Sequence, residues 1–285
     1  MRSFRVFALG VCIAFVLALG AGHAYGRSDP EFADPAIGME FVCLDGGEYE
    51  AYALPKRAPP VPWRTRLSYL LGRASPPDDS DQPEPRLVQV EDFCIGRYEV
   101  TVSQWHAVMG GSPRVAGVDE HPVTSVSWRS VHAFIERLNQ LSGREYRLPT
   151  EAEWEFAARS RGQRETWAST SDAEDVYAFA WLDRNSGFVT HAVGQKRPNQ
   201  VGLYDMTGNV EEWCADVVGD EVTPSGQGGW VGGPSERRDY VVRGGSYISS
   251  CEGAQIRLQK RTYFADGGNE LTGFRLVYSP SEMTR

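Results

Sequence analysis

The segment GLYDMTGNVEEWCAD, from Gly202 to Asp216, has acidic residues on both sides of a glycine turn and runs into a Trp-Cys pair, with four acidic residues in all. Within it, Asp205, Gly208, Val210 and Glu212 follow one another at spacings of three, two and two residues. A Ca²⁺ ion takes about six to eight oxygen ligands, which a turn can supply as carboxylates and backbone carbonyls. The same residues also suit an acid pair, or an ordinary turn capped by Asp205 with Glu212 at a strand edge. The spacing alone favours the ordinary turn.

The motifs of the common enzyme classes are absent from the sequence. There is no phosphate-binding glycine loop, no dinucleotide fingerprint, no His-Glu-x-x-His, no Cys-x-x-Cys and no nucleophile elbow. The histidines beyond the first 24 residues include no pair at metal-ligand spacing. Structural or surface roles are therefore predicted for His106, His121, His132 and His191.

The N-terminal residues have the pattern of a secretory signal. Two arginines precede an apolar run from Val6 to Leu19, and small residues follow up to Ala24. The run is short for a membrane anchor. Cys12 follows Val11, where a lipid-attachment site would have a small residue. We predict a signal peptide at residues 1–24, a secreted or periplasmic protein, and no membrane span in the mature chain.

The net charge limits the classes of partner that the chain can bind, and the cysteine content bears on the disulfides that it can form. Removal of the signal leaves 27 basic against 38 acidic residues, a net charge of about −11, which predicts no nucleic-acid partner. Four cysteines remain, which allow three pairings in an oxidising compartment. We favour Cys43–Cys94 and Cys214–Cys251, because each pair lies in candidate strands within one half of the chain.

Short strands and three helices are predicted around these segments. Gly38–Leu54 reads as two strands around the turn Asp45-Gly46-Gly47, and the proline-rich stretch from Pro55 to Pro85 reads as an exposed excursion. The helices are predicted from their N-terminal caps and apolar spacing. Those caps are Thr101 with Gln104, Ser127, and Thr150 with Glu153. Beyond Arg161 the chain shows short apolar pieces and glycines, so the fold class is α+β.

Six segments, in this order, resemble the sulfatase-modifying-factor family, typified by the formylglycine-generating enzyme. They are EVTVSQWHAVMG, HPVTSVSW, YRLPTEAEWEFAARSRG, GLYDMTGNVEEWCAD, VVRGGSY and GFRLV. The resemblance implies a modified C-type-lectin fold with little regular secondary structure. It implies one domain at residues 38–280, with the insertion at 55–85 and a mature N-terminal segment at 25–37. Arg275 is predicted to belong to the scaffold and to form a buried ion pair.

The resemblance changes the interpretation of the acidic segment. In this family the segment before the central tryptophan is a calcium site, with side chains at its ends and carbonyls between. Carried over, the ligands fall on Asp205, Gly208, Val210 and Glu212, and every position is compatible. A structural Ca²⁺ ion is therefore expected, whose role is to stabilise the fold.

The departure from the family lies in its chemistry. The family enzyme oxidises a substrate cysteine with O₂ and a copper(I) ion held by two thiolates a few residues after the Gly-Gly-Ser segment. Here those positions are Ser249 and Ala254, with Cys251 nearby. A serine hydroxyl is a hard ligand and alanine is none, whereas Cu(I) selects sulfur. Copper is therefore not expected, and no catalytic residue is assigned.

A binding role is the remaining interpretation. In some exported relatives the loops after the Gly-Gly-Ser segment form an adaptable binding face, which here is polar and aromatic. The predicted face comprises Ser249, Ser250, Glu252, Gln255, Arg257, Gln259, Lys260, Arg261, Tyr263 and Phe264. We predict a monomer that binds an exported protein or a small ligand. The alternative is an oxidoreductase of the formylglycine-generating or siderophore-maturation type that acts on an exported substrate.

Overall fold

The computed structural model describes residues 31–34, 37–52, 85–111, 117–217, 239–256 and 261–279. The strands are β1 Glu31–Ala33, β2 Glu40–Leu44, β3 Gly47–Tyr52, β4 Pro85–Val90, β5 Phe93–Gly96, β6 Glu211–Val217, β7 Asp239–Arg243, β8 Arg261–Phe264, β9 Thr272–Gly273 and β10 Val277–Tyr278. The helices are α1 Val102–Met109, α2 Trp128–Ser142, α3 Glu151–Ala158 and α4 Val176–Phe179, with a 3₁₀ turn at Glu252–Ala254. The α+β class is confirmed.

The three predicted helices begin where their caps place them. α1 and α3 each start with a capping box, Thr101 with Gln104 and Thr150 with Glu153, in which side chain and backbone bond reciprocally. α2 starts after Ser127, whose hydroxyl accepts the N–H of the third helical residue. These starts depend on groups three residues apart, so local sequence determines them. None of the described helices is both long and apolar enough to cross a membrane.

The strands form three sheets. β1-β2-β5-β10 is an antiparallel four-stranded sheet, β3-β4 is a two-stranded sheet, and β8-β7-β6-β9 is a four-stranded sheet with a parallel β6–β9 pair. The two strands predicted around the Asp45–Gly47 turn are present as β2 and β3, but they join different sheets. Between β2 and β3 the chain passes close to the backbone at the end of β4. Only glycine fits at position 46, because a Cβ there would lie 2.2 Å from the Val90 carbonyl oxygen.

One of the two predicted disulfides is present. Cys43 and Cys94 face each other across the β2–β5 pair and are bonded, as predicted. The predicted Cys214–Cys251 bridge is wrong, because both cysteines are free. Their positions explain this result. Cys214 lies on β6 in the apolar cluster around α3, whereas Cys251 lies in a separate small cluster with Trp167.

Strand β6 separates the two large apolar clusters. Trp213 packs in one cluster with the aromatic residues of α1 and α2, and Cys214, the next residue, packs in the other with Trp154 of α3. Successive strand residues face opposite sides of a sheet, so this strand is covered on both faces. The acidic segment that precedes β6 therefore runs directly into the interior.

His132 gives the folded protein a pH-dependent stability. Its ring packs against Trp128 in a tilted arrangement with centroids 3.6 Å apart, and its Nε2 is buried without a hydrogen-bond partner. Burial lowers the pKa of His132 to about 4. In the unfolded chain the pKa of His132 is about 6.5, so the unfolded chain takes up this proton before the folded protein does as the pH falls. We expect His132 to contribute a loss of up to about 3 kcal/mol between pH 7 and pH 4.

This loss is measured by denaturant unfolding of the wild type and of His132→Gln at a series of pH values. The carboxylates contribute equally to both proteins, so the difference between the two curves isolates His132. The wild type should lose more stability than His132→Gln as the pH falls through about 6.5, the ordinary histidine pKa. Parallel curves would contradict the prediction.

Candidate functional site

Three carboxylates and one guanidinium form a buried cluster at the Asp205–Glu212 segment, which itself supplies two of the carboxylates. Glu99, Asp205 and Glu212 are 1%, 2% and 0% exposed, and Arg275 is fully buried. The Arg275 Nε and Nη2 atoms bind the two Glu212 oxygens at 2.6 and 2.7 Å, and the Trp154 indole N–H donates to Glu212 Oε2 at 2.8 Å. The predicted buried ion pair of Arg275 is confirmed, and Glu212 is its partner.

Arg275 also holds together the elements that surround the cluster. It follows β9, which runs parallel to β6 beside Glu212. Its Nη1 donates to the Gly96 carbonyl at the end of β5, and its Nη2 donates to the Tyr204 carbonyl, both at 3.0 Å. The guanidinium therefore connects two sheets to the loop that carries Asp205. Because charged donors make the strongest hydrogen bonds, this connection fixes the base of the site.

The loop from Asp205 to Asn209 has an unusual backbone. Asp205, Gly208 and Asn209 have φ values of +58°, +81° and +56°, in the left-handed region that non-glycine residues rarely occupy. Gly208 cannot be replaced without a shift, because a Cβ would lie 2.2 Å from the Trp181 carbonyl oxygen. Strained backbone of this kind persists only where the surroundings over-determine it.

The hydrogen bonds of this loop orient its carbonyls. The Asn209 N–H donates to the Trp181 carbonyl at 2.9 Å, and the Glu211 N–H donates to the Leu271 carbonyl at 2.7 Å. In a trans peptide unit the N–H and the preceding C=O point in opposite directions. The carbonyls of Gly208 and Val210, two of the predicted calcium ligands, therefore point away from Trp181 and Leu271.

The cluster carries more negative than positive charge. Asp205 Oδ2 accepts the Gly194 N–H at 2.8 Å, whereas Oδ1 is buried without a hydrogen-bond partner. Burial raises the pKa of Asp205 to about 6 against the opposing effects of the Gly194 N–H and of Arg275, and Glu212 adds to the increase. Burial, followed by the charges of Asp205 and Glu212, raises the pKa of Glu99 well above its usual range. Three carboxylates against one guanidinium favour a bound cation or proton.

The donor set fits a calcium ion. Asp205 Oδ1 lacks a partner, and Glu212 Oε1 accepts one hydrogen bond from Arg275 and retains a second lone pair. Within the described ranges, no group of three or more His, Cys, Asp and Glu side chains could by itself hold a metal ion. The predicted ligand set has only two such side chains, and its other two ligands are the backbone carbonyls of Gly208 and Val210.

The segment after the Gly-Gly-Ser turn offers no pair of thiols. Ser249 is fully buried, and its hydroxyl accepts the Ser246 N–H at 3.0 Å. Ala254 is buried in the 3₁₀ turn. Burial, with a smaller effect from the Glu252 carboxylate, raises the pKa of the Cys251 thiol to about 11. The thiol is therefore protonated at neutral pH.

The structure divides the predicted ligand-binding face. Ser249 and Ser250 are buried, and the Ser250 hydroxyl accepts the Gly253 N–H at 3.1 Å, so these two side chains close a turn and do not face solvent. Glu252 is exposed and Gln255 half-buried. Tyr263 is half-buried and donates to Glu211, and Phe264 is 57% exposed. Arg257, Gln259 and Lys260, and the side chain of Arg261, lie outside the described residues.

Sequence reasoning missed Glu99. No motif or spacing connects it to Asp205, which follows 106 positions later. One signal was available, because Glu99 stands in the otherwise strand-like run FCIGRYEV beside Val100. A carboxylate in such a run is buried only with a partner.

Comparisons with known proteins identify the fold and the relatives. Residues 38–280 match the model of the sulfatase-modifying factor enzyme 1-like domain. The chaperone protein LppX of Paenibacillus barcinonensis is 29% identical over 245 residues, which cover 67% of this chain and 82% of LppX. The formylglycine-generating enzyme of Streptomyces coelicolor is 32% identical over 157 residues, 51% of this chain and 48% of that enzyme. The structure of Treponema denticola variable protein 1 superposes with a TM-score of 0.67 at 25% identity, over 90% of this chain and 100% of that one.

Proposed function

The chain belongs to the sulfatase-modifying factor enzyme 1-like domain family, and we propose that it is an exported member that binds a protein or a small ligand without oxidising it. The observation that carries the proposal is the pair of residues at the family's copper positions. Ser249 and Ala254 supply one hard hydroxyl and no second donor, and the Ser249 hydroxyl already accepts a backbone N–H. Cu(I) is selected by soft sulfur ligands, so we do not expect the family's copper centre or its oxidation in this chain.

Two further observations support binding as the function. The relative LppX, which this chain covers over 82% of its length, is named a chaperone protein, and a chaperone acts by binding polypeptide. By contrast, the chain spans about half of the Streptomyces formylglycine-generating enzyme.

Glu252 and the 57% exposed Phe264 supply a charged and an aromatic contact beside the 3₁₀ turn. A polypeptide is therefore the favoured ligand class. Export rests on residues 1–24, which lie outside the described residues.

We also propose that the buried acidic cluster holds a structural calcium ion. Asp205 and Glu212 would contribute carboxylate oxygens, and Gly208 and Val210 would contribute carbonyls. When bound, the ion supplies the positive charge that three buried carboxylates lack beside Arg275. The ion would stabilise the loop ahead of β6, where the left-handed backbone is otherwise costly.

A second candidate function is favoured by one observation. Cys251 is free of any disulfide, so an oxidase that uses a single thiol remains an alternative. The raised pKa of the Cys251 thiol, about 11, argues against this function. Roughly one Cys251 in ten thousand would be a thiolate at pH 7, and the thiolate is the reactive and metal-binding form.

The two functions are separated by one experiment on the mature oxidised protein. It is loaded with Cu(I) and incubated in air with a Cys-x-Pro-x-Arg peptide, and products are identified by mass spectrometry. We expect no aldehyde product. Alkylation of the unfolded protein without reductant should modify two thiols, Cys214 and Cys251, and leave Cys43–Cys94 intact. The matched control is Cys251→Ser. An aldehyde that forms with the wild type and is lost with Cys251→Ser would overturn the binding proposal.

A further inference from the structure

We infer that Glu99 is a positioning residue of the calcium site, which orients the Asp205–Glu212 loop and raises its affinity for the ion. This inference rests on the calcium site proposed above. Glu99 lies between β5 and α1, far in sequence from the loop, and it is not one of the residues that the family pattern places in the site. Its role follows from its contacts, its burial and its charge.

The Glu99 carboxylate binds the centre of the loop through both of its oxygens. Oε1 accepts the Val210 N–H at 3.2 Å, and Oε2 accepts the Asn209 Nδ2–H at 2.7 Å. The first bond fixes the peptide plane between Asn209 and Val210. The second bond holds the Asn209 side chain, whose Oδ1 accepts the His191 N–H at 3.0 Å. Glu99 therefore determines the backbone orientation between the two residues whose carbonyls are proposed as ligands.

An independent observation indicates that the cluster has a ligand. Asp205 is 2% exposed, and its Oδ1 has no hydrogen-bond partner. A buried carboxylate oxygen without a partner carries a large desolvation cost, which a cation would offset. Glu99 adds a third negative charge to the same cluster, so it attracts a cation even without touching it. Residues that support metal ligands in this way typically change metal affinity by about 10–100-fold when they are replaced.

The inference is tested with Glu99→Gln and a matched control. Glu155→Gln also removes a charge from a buried glutamate, but the ion-pair partners of Glu155 are Arg159 and Arg243, which are not proposed ligands. Calcium dissociation constants are measured by titration calorimetry, and melting temperatures are measured in EGTA and in saturating calcium. We expect Glu99→Gln to weaken calcium binding at least tenfold and to reduce the gain in melting temperature that calcium produces. Glu155→Gln should melt lower in both buffers with an unchanged calcium affinity.

The outcomes separate the hypotheses. Equal calcium affinities for wild type and Glu99→Gln would overturn the role of Glu99 and leave the calcium site standing. If the wild type binds no calcium, both are overturned, whereas the proposal that the chain does not oxidise its ligand is tested separately by the aldehyde assay. Should Glu99→Gln fail to fold, Glu99→Asp retains the charge and withdraws the carboxylate from the loop. We expect weaker calcium binding from that variant, and wild-type affinity there would overturn the inference.

Discussion

Replacing Arg275 with methionine is expected to lower the free energy of unfolding by about 3–5 kcal/mol. The substitution leaves Glu212 in the interior without its bidentate partner, beside the carboxylates of Glu99 and Asp205. It also removes the donors to the Gly96 and Tyr204 carbonyls. Breaking a buried ion pair costs more than the pair contributes, because an uncompensated charge remains away from water. The measurement is denaturant unfolding at neutral pH in EGTA, so that no divalent cation replaces the lost charge.

The control for this prediction is an exposed arginine. Arg164 pairs with Glu50, but its side chain is 76% exposed. Arg164→Met should cost less than about 1 kcal/mol, because solvent screens the pair. The double variant Arg275→Met with Glu212→Leu removes both charges and should recover part of the loss. If Arg275→Met destabilised no more than Arg164→Met, the cluster would not depend on the guanidinium.

The features predicted correctly from the sequence are those that local chemistry determines. Thr101 and Thr150 begin their helices because the partner of each cap is three residues away. The fold class follows from three capped helices between residues 101 and 158, together with short strands before and after them. The buried ion pair of Arg275 was also predicted, although composition and spacing do not identify Glu212 as its partner.

The features that the sequence did not predict depend on contacts between distant segments. β2 and β3 are adjacent in the chain, yet β2 pairs with β1 and β5 whereas β3 pairs with β4. The predicted Cys43–Cys94 bond forms because sheet register places these two residues opposite each other, whereas the wrongly predicted partners Cys214 and Cys251 belong to different apolar clusters. Glu99 joins the acidic cluster for the same reason. The chemistry of a residue can be read from its type, but its neighbours are determined by topology.

Introducing the cysteine pair by Ser249→Cys with Ala254→Cys is expected to create a Cu(I) site in this chain. The substitutions are made together with Cys251→Ser, so that the native thiol neither binds the metal nor forms a new disulfide. Ser249→Cys changes one buried atom, and Ala254→Cys adds one sulfur within the 3₁₀ turn. The change at Ala254 should cost about 1–3 kcal/mol of stability, the usual penalty for overpacking. Two sulfurs supply the soft ligands that Cu(I) selects.

Cu(I) affinity is measured by competition with a chromogenic chelator under reducing conditions. The double variant should bind on the order of a hundredfold more tightly than either single cysteine variant, because the second thiol binds intramolecularly. The wild type should bind no more tightly than the single variants, since Cys251 stays protonated at neutral pH. A gain for the double variant would show that Ser249 and Ala254 occupy the copper positions and that their side chains prevent copper binding. If the wild type bound Cu(I) as tightly as the double variant, Cys251 would be a metal ligand, and the single-thiol oxidase would become the favoured function.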